Sequence, residues 1–166
     1  MLFRPLAFDY PTDKRAQRVE DQLMLADSCM IAPVYEQNAR GRCVYLPEDM
    51  LMVRFRSAAD FDCIPMEKGT HYIDLNMNEF PLFIKKGHVI PLAKTAESVA
   101  KIGENDLTLL GWLAHGTAFT LYNDDGETAH IDLDKGLTLV DVQVKDGKAI
   151  ARADGIEMDV SRILIR

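Results

Sequence analysis

The chain has 166 residues, 48% hydrophobic and 27% charged, a balance that supports a packed core and excludes a disordered chain. Its 19 basic and 26 acidic residues leave a net charge of −7, with no basic run longer than Lys85-Lys86, so the footprint of a nucleic-acid binder is missing. No segment approaches the roughly 18 to 20 consecutive apolar residues of a membrane span, and the opening M-L-F-R-P lacks a signal-peptide core, so no membrane contact and a cytoplasmic location are expected.

The opening stretch from Arg4 to Pro11 is apolar and bracketed by prolines, which predicts an extended segment. Early residues are usually poorly tied down, so an apolar segment this near the initiator is what a piece of a larger chain would show. Thr12-Asp13 then offers a cap, and Val19, Leu23 and Met24 recur at helical spacing. One short helix ending before Asp27 is expected there.

After Ser28 the pattern turns to strands. Runs at 29–35, 42–47 and 51–56 are strand-length, apolar and bounded by Gly, Asn, Pro or acidic residues, while residues 71–76 alternate as a half-buried strand does. The run F-P-L-F-I-K-K-G-H-V-I-P-L at 80–92 reads as a bent strand. Pro81 and Pro91 belong at strand edges or starts, and Lys85-Lys86-Gly87 turns or bulges the chain between two apolar halves. A phosphate cradle would want several glycines and a following helix. Residues 94–106 are polar and weakly helical, with Gly103 as a stop, and mark a candidate boundary. Strands resume at 107–113, 118–122, 130–133, 137–144, 149–153, 156–160 and 162–165, with Asn123-Asp124-Asp125-Gly126, Asp146-Gly147 and Asp154-Gly155 as turns. The expected fold class is mainly β: an antiparallel β-sandwich made of two small β modules, with a short N-terminal helical segment.

Few residues suggest chemistry. Cys29, Cys43 and Cys63 are odd in number and form no C-x-x-C, so reduced thiols are expected rather than disulfides or a zinc ribbon. His71, His88, His115 and His130 share no ligand spacing. Asp124-Asp125-Gly126 lacks the further acidic ligands of a calcium loop and reads as a hairpin turn. Glu20-Asp21 and Glu48-Asp49 are neighbours in sequence that should point apart into solvent. Ser28-Cys29 and Cys43 lack a nucleophile elbow or a recognisable base. The expectation is therefore no catalytic, cofactor-binding or metal-ligating residue and no cofactor. Trp112, Phe119 and Tyr122 leave open an aromatic platform for a sugar, against the plainer reading that they fill the core.

Five motifs occur in a telling order: R-P-L-x-F-x-Y-P at 4–11, D-Q-L-M-L-A-D-S-x-M-I-A-P-V at 21–34, V-Y-L-P at 44–47, the 80–92 run, and T-L-Y-N-D-D-G at 120–126. Together they resemble the C-terminal part of the family 31 glycoside hydrolases, the α-glucosidases and α-xylosidases, over roughly residues 2–130. Ala26 departs from the family's usual glycine, Asn123 from its usual glutamate, and the tryptophan common after V-Y-L-P is missing. The resemblance implies a retaining glycosidase on a (β/α)₈ barrel, whose two carboxyls stand about 5 to 5.5 Å apart. The family's W-x-D-M-N-E-like nucleophile motif does not occur in this sequence, and a barrel of about 250 residues does not fit it. The resemblance thus implies that residues 1–28 are the end of a barrel, 29–93 a proximal β-sandwich, 94–103 a linker and 104–166 a distal β-sandwich. It further implies a non-catalytic role bracing the absent barrel, inactivity alone, and self-association through the face the barrel would cover. A free-standing module binding an α-glucan or a protein partner is the alternative.

Overall fold

In a computed structural model, which describes residues 3–57, 59–94, 96, 102, 106–122 and 137–165, the chain is built mainly from strands. The first nine are β1 (Phe3–Pro5), β2 (Leu23–Leu25), β3 (Cys29–Ile31), β4 (Gly41–Leu46), β5 (Met50–Phe55), β6 (Phe61–Met66), β7 (Gly69–Asp74), β8 (Phe80–Lys85) and β9 (Val89–Ala93). After them come β10 (Leu107–Leu113), β11 (Thr117–Tyr122), β12 (Leu137–Lys145), β13 (Lys148–Ala153) and β14 (Ile156–Ile165). One short helix, α1 (Leu6–Asp9), and a 3₁₀ turn at Ala16–Arg18 lie near the start. The expected mainly β class holds. Among the described residues no helix is long and apolar enough to cross a membrane.

The first sheet has the order β1-β2-β3-β8-β5-β6 and is antiparallel throughout. Both its faces are apolar because successive side chains of each strand point opposite ways. Met24, Met30, Met50, Met52 and Phe83 join one core with Leu6, Ala16, Val44, Leu46 and Ile73, so the N-terminal segment and the β4-β7 pair cover that face. Cys29, Leu51, Val53, Phe55 and Ile84 pack on the other face against Leu110 and Trp112 of a second sheet. That second sheet has the order β11-β12-β13-β14-β10-β9.

In the second sheet, β14 pairs antiparallel with β13 through its first residues and parallel with β10 through its later ones. The shift occurs where Thr108 and Leu110 of β10 face Asp159 and Arg162, an extra residue on β14. Asp159 accepts the Ser161 N–H at 2.9 Å and the Thr108 hydroxyl at 2.9 Å, which holds this bulge. The two expected strands at 156–160 and 162–165 are therefore one bulged strand. Val140, Val142, Ala151, Ala153 and Met158 close the module's own core with Leu109 and Leu113. The two-residue turns at Asp146-Gly147 and Asp154-Gly155 have positive φ at both positions, the geometry that suits hairpins.

Several local expectations are corrected. The opening is not extended throughout: Pro5 precedes α1 with φ of −57°, compatible with a helix start, and Leu6 is fully buried. The expected helix over Val19, Leu23 and Met24 is a 3₁₀ turn followed by β2. Asp13 does cap that turn, accepting the N–H groups of Arg15 and Ala16 at 2.9 and 3.2 Å. Strand pairing wins over helical spacing because buried Gln22 serves as a substitute ladder partner for β4. Its amide accepts the Tyr45 N–H at 2.8 Å and donates to the Tyr45 carbonyl at 2.7 Å. The 80–92 run divides as expected into two apolar strands about a turn, but the halves belong to different sheets and are not one bent strand of the proximal sandwich. β8 lies in the first sheet and β9 pairs with β10 in the second, so Lys86-Gly87-His88 is a crossing between sheets. Gly111 permits the close β9-β10 approach, since a Cβ there would lie 2.4 Å from the His88 carbonyl oxygen. Strand β6 was not expected from sequence. Pro65 interrupts its pattern and is tolerated because, among the described residues, β6 stands at the sheet edge beside β5. The turn predicted at 123–126 and the strand at 130–133 lie outside the described residues, as does most of the 94–103 stretch.

Two substitutions test this description. Gln22→Ala leaves two buried backbone groups of Tyr45 without partners and is expected to lower unfolding free energy by about 2 kcal/mol, measured by urea titration; an unchanged midpoint refutes the ladder role. Ala26, between β2 and β3, has φ of 50°, the left-handed region that glycine enters freely. Ala26→Gly is expected to stabilise by about 0.5 to 1 kcal/mol, the relieved strain exceeding the entropy lost by glycine; a loss of stability argues against strain at this turn.

Candidate functional site

Most residues singled out in the sequence resolve into structural roles. His71 Nε2 lies 2.8 Å from the Glu67 carbonyl oxygen, His88 Nδ1 lies 3.5 Å from that of Lys86, and His115 is exposed at the β10-β11 turn. His130, Asp124, Asp125 and Gly126 lie outside the described residues. Among the described residues no three His, Cys, Asp or Glu side chains converge as a metal site would require. Cys29 is buried between the sheets, and burial pushes its thiol up to about 11. Cys63 is partly buried and is also raised, whereas Cys43 is exposed on β4.

The acidic pairs do point apart, but they are not simply solvated. Glu48 accepts from the Tyr10 hydroxyl and lies 4.0 Å from Lys85 Nζ, whereas Asp49 accepts the Lys68 N–H at 3.1 Å and pairs with Lys86 Nζ at 3.3 Å. The backbone bond from Lys68 and the nearby Lys86 hold the Asp49 carboxyl below its ordinary range. Glu20 is exposed, and Asp21 pairs with Arg42.

Lys85 belongs to a latch between the N-terminal segment and the first sheet. Its Nζ lies 3.5 Å from Asp9, which is also gripped by both arms of Arg4. Arg4 reaches Asp27 as well, at 2.9 Å. The guanidinium of Arg4 is the main reason the Asp9 carboxyl sits below the usual carboxylate range. Because Asp9 is on α1, this cluster fastens residues 4–10 over β8.

The expected aromatic platform is not assembled from Trp112. That ring is 6% exposed, lies in the core between the sheets, and carries Lys86 Nζ 4.5 Å from its centroid. Phe119 packs on the core of the second module, and Tyr122 is about half-exposed.

A concavity lies elsewhere, beside the β4-β7 pair. A cleft of about 450 Å³ is bounded by the segment 33–36, by Arg40 and Arg42, and by Cys43 and its cross-strand partner Tyr72. Arg42 organises it. Its Nη1 donates to the carbonyls of Pro33 and Asp21 at 2.6 and 3.2 Å, Nη2 pairs with the Asp21 carboxylate, and the guanidinium lies 5.6 Å from the Tyr35 ring centre. Sequence reading missed this group because strand pairing and the 32–40 connection bring together residues with no common spacing.

Residues 1–90 match the glycosyl hydrolase family 31 C-terminal domain. Alpha-glucosidase 2 of Bacillus thermoamyloliquefaciens is 27% identical over 130 residues, 76% of this chain and 16% of that enzyme. A 1,6-alpha-glucosyltransferase of Sporosarcina globispora is 31% identical over 132 residues, 75% of this chain and 10% of that protein. The crystal structure of a family 31 alpha-xylosidase from Xanthomonas citri shares the fold over 91% of this chain and 16% of that one, with a TM-score of 0.69 at 23% identity. The chain thus spans between a tenth and a sixth of the curated relatives described. With more than half of its residues matched to that domain, the chain belongs to glycosyl hydrolase family 31 and represents its C-terminal β region.

Proposed function

We propose that this chain acts as the non-catalytic β region that braces a (β/α)₈ barrel in an α-glucosidase-like retaining glycosidase. The observation that carries this reading is the match of residues 1–90 to the family's C-terminal domain, in a chain that corresponds to a small share of its relatives. In this reading residues 1–28 are the end of the barrel. Their apolar groups Leu6 and Ala16 seal one face of the first sheet, and the Arg4-Asp9-Lys85 latch fixes them there. The passage from proximal to distal module then falls at Lys86-Gly87-His88, ahead of the polar 94–103 stretch. The bracing surface includes Phe3 and Phe8, which are 53% and 73% exposed.

Two measurements test the reading. The purified chain is expected to release no p-nitrophenol from p-nitrophenyl α-glucoside above the buffer rate; enzyme-like turnover that survives removal of contaminants would overturn a bracing role. Light scattering over a tenfold concentration range is expected to show mass rising with concentration, and Phe8→Asp should suppress the rise. A monomer at every concentration counts against an uncovered barrel-facing surface.

A further inference from the structure

The cleft beside β4 and β7 has features that sealing a barrel does not require. Tyr35 and Tyr72, 67% and 60% exposed, both line it and present aromatic surface to water. Tyrosine combines a broad apolar face with a polar tip, the combination that suits a ligand with one C–H face and a rim of hydroxyls. Between and beside the rings stand Asp21, Glu36, Arg40 and Arg42, two acidic and two basic groups whose formal charges cancel. A neutral field gives no advantage to phosphates or to strongly charged peptides.

The polar groups are also held in place before any ligand arrives. Arg42 has only 10% of its side chain exposed and is fixed by two carbonyls and by Asp21, while the Asp21 side chain keeps 39% exposure. The Asp21 carboxylate and the exposed Arg40 guanidinium line the cleft and supply acceptors and donors together, which vicinal hydroxyls require and purely apolar ligands do not. The volume of about 450 Å³ lies within the roughly 300 to 1,000 Å³ of small-molecule sites.

We propose that this cleft is a binding site for a short neutral oligosaccharide, with sugar rings packed on Tyr35 and Tyr72 and hydroxyls bonded by Asp21 and Arg40. The site is distinct from the bracing surface around Phe3 and Phe8, and its failure leaves the bracing role untouched. Cys43, exposed at the cleft wall opposite Tyr72 in the ladder, supplies a reporter inside the site. Cys29 is buried and its thiol raised, so Cys43 is the first to react with iodoacetamide.

Isothermal titration of the whole 166-residue chain with maltotriose and with isomaltotriose tests the proposal. The expected result is saturable binding of at least one, with a dissociation constant on the order of 1 mM. Tyr35→Ala and Tyr72→Ala should each weaken it roughly tenfold, and Tyr122→Ala on the other module should leave it unchanged. Independently of any variant's folding, saturating trisaccharide should slow alkylation of Cys43 in the unaltered protein while leaving Cys63 as reactive as before. No saturable heat with either sugar up to about 50 mM, binding that persists at full strength in both tyrosine variants, or unprotected Cys43 at saturation would each overturn it.

Discussion

The first sheet is apolar on both faces, and the rest of the molecule is arranged to satisfy that condition. Strand β5 states it most directly: Met50 and Met52 face one core, Leu51, Val53 and Phe55 the other. Fully burying side chains of this kind stabilises by roughly 1.5 to 3 kcal/mol each, and leaving either face wet would forfeit a large part of the net stability. One cover is the N-terminal segment with the β4-β7 pair, the other the β10 side of the second sheet. The two modules are consequently joined through shared core rather than through a simple linker.

This condition also explains where sequence reading succeeded and where it did not. Strands such as β5, β7 and β10 were legible because β-branched and aromatic residues occur in strand-length runs between turn residues. The hairpins at Asp146-Gly147 and Asp154-Gly155 were legible because positive φ demands particular residues. The helix expected around Leu23 failed because a buried side chain, Gln22, meets a distant backbone, which no local pattern encodes. The 80–92 run hid its crossing for a similar reason. Its two apolar halves look alike, and only the partners available to each, β5 for one and β10 for the other, separate them into different sheets.

The candidate site follows the same division between local and assembled information. Trp112 was conspicuous in sequence as a potential platform, yet it fills the junction between the sheets under Lys86. Tyr35 and Tyr72 carried no signal, because each becomes notable only through its exposure and through the Arg42 scaffold beside it. Membership of the family was more legible than either, since it rests on ordered motifs that persist when single residues change.

Strand β14 carries a consequence for how the molecule is made. It fills the place between β13 and β10, completing an antiparallel pair on one side and a parallel pair on the other. Until it arrives, β10 has β9 as its only partner among the described strands, and the wall that presents Trp112 and Leu110 to the first sheet is half-built. During synthesis the first sheet emerges before β14, so one of its apolar faces is incompletely covered until that strand pairs. Closing so distant a pairing carries a loop-entropy cost before any reward, so the β10-β14 pairing belongs late in folding, and the apolar face left exposed until then is a surface to which a chaperone would bind.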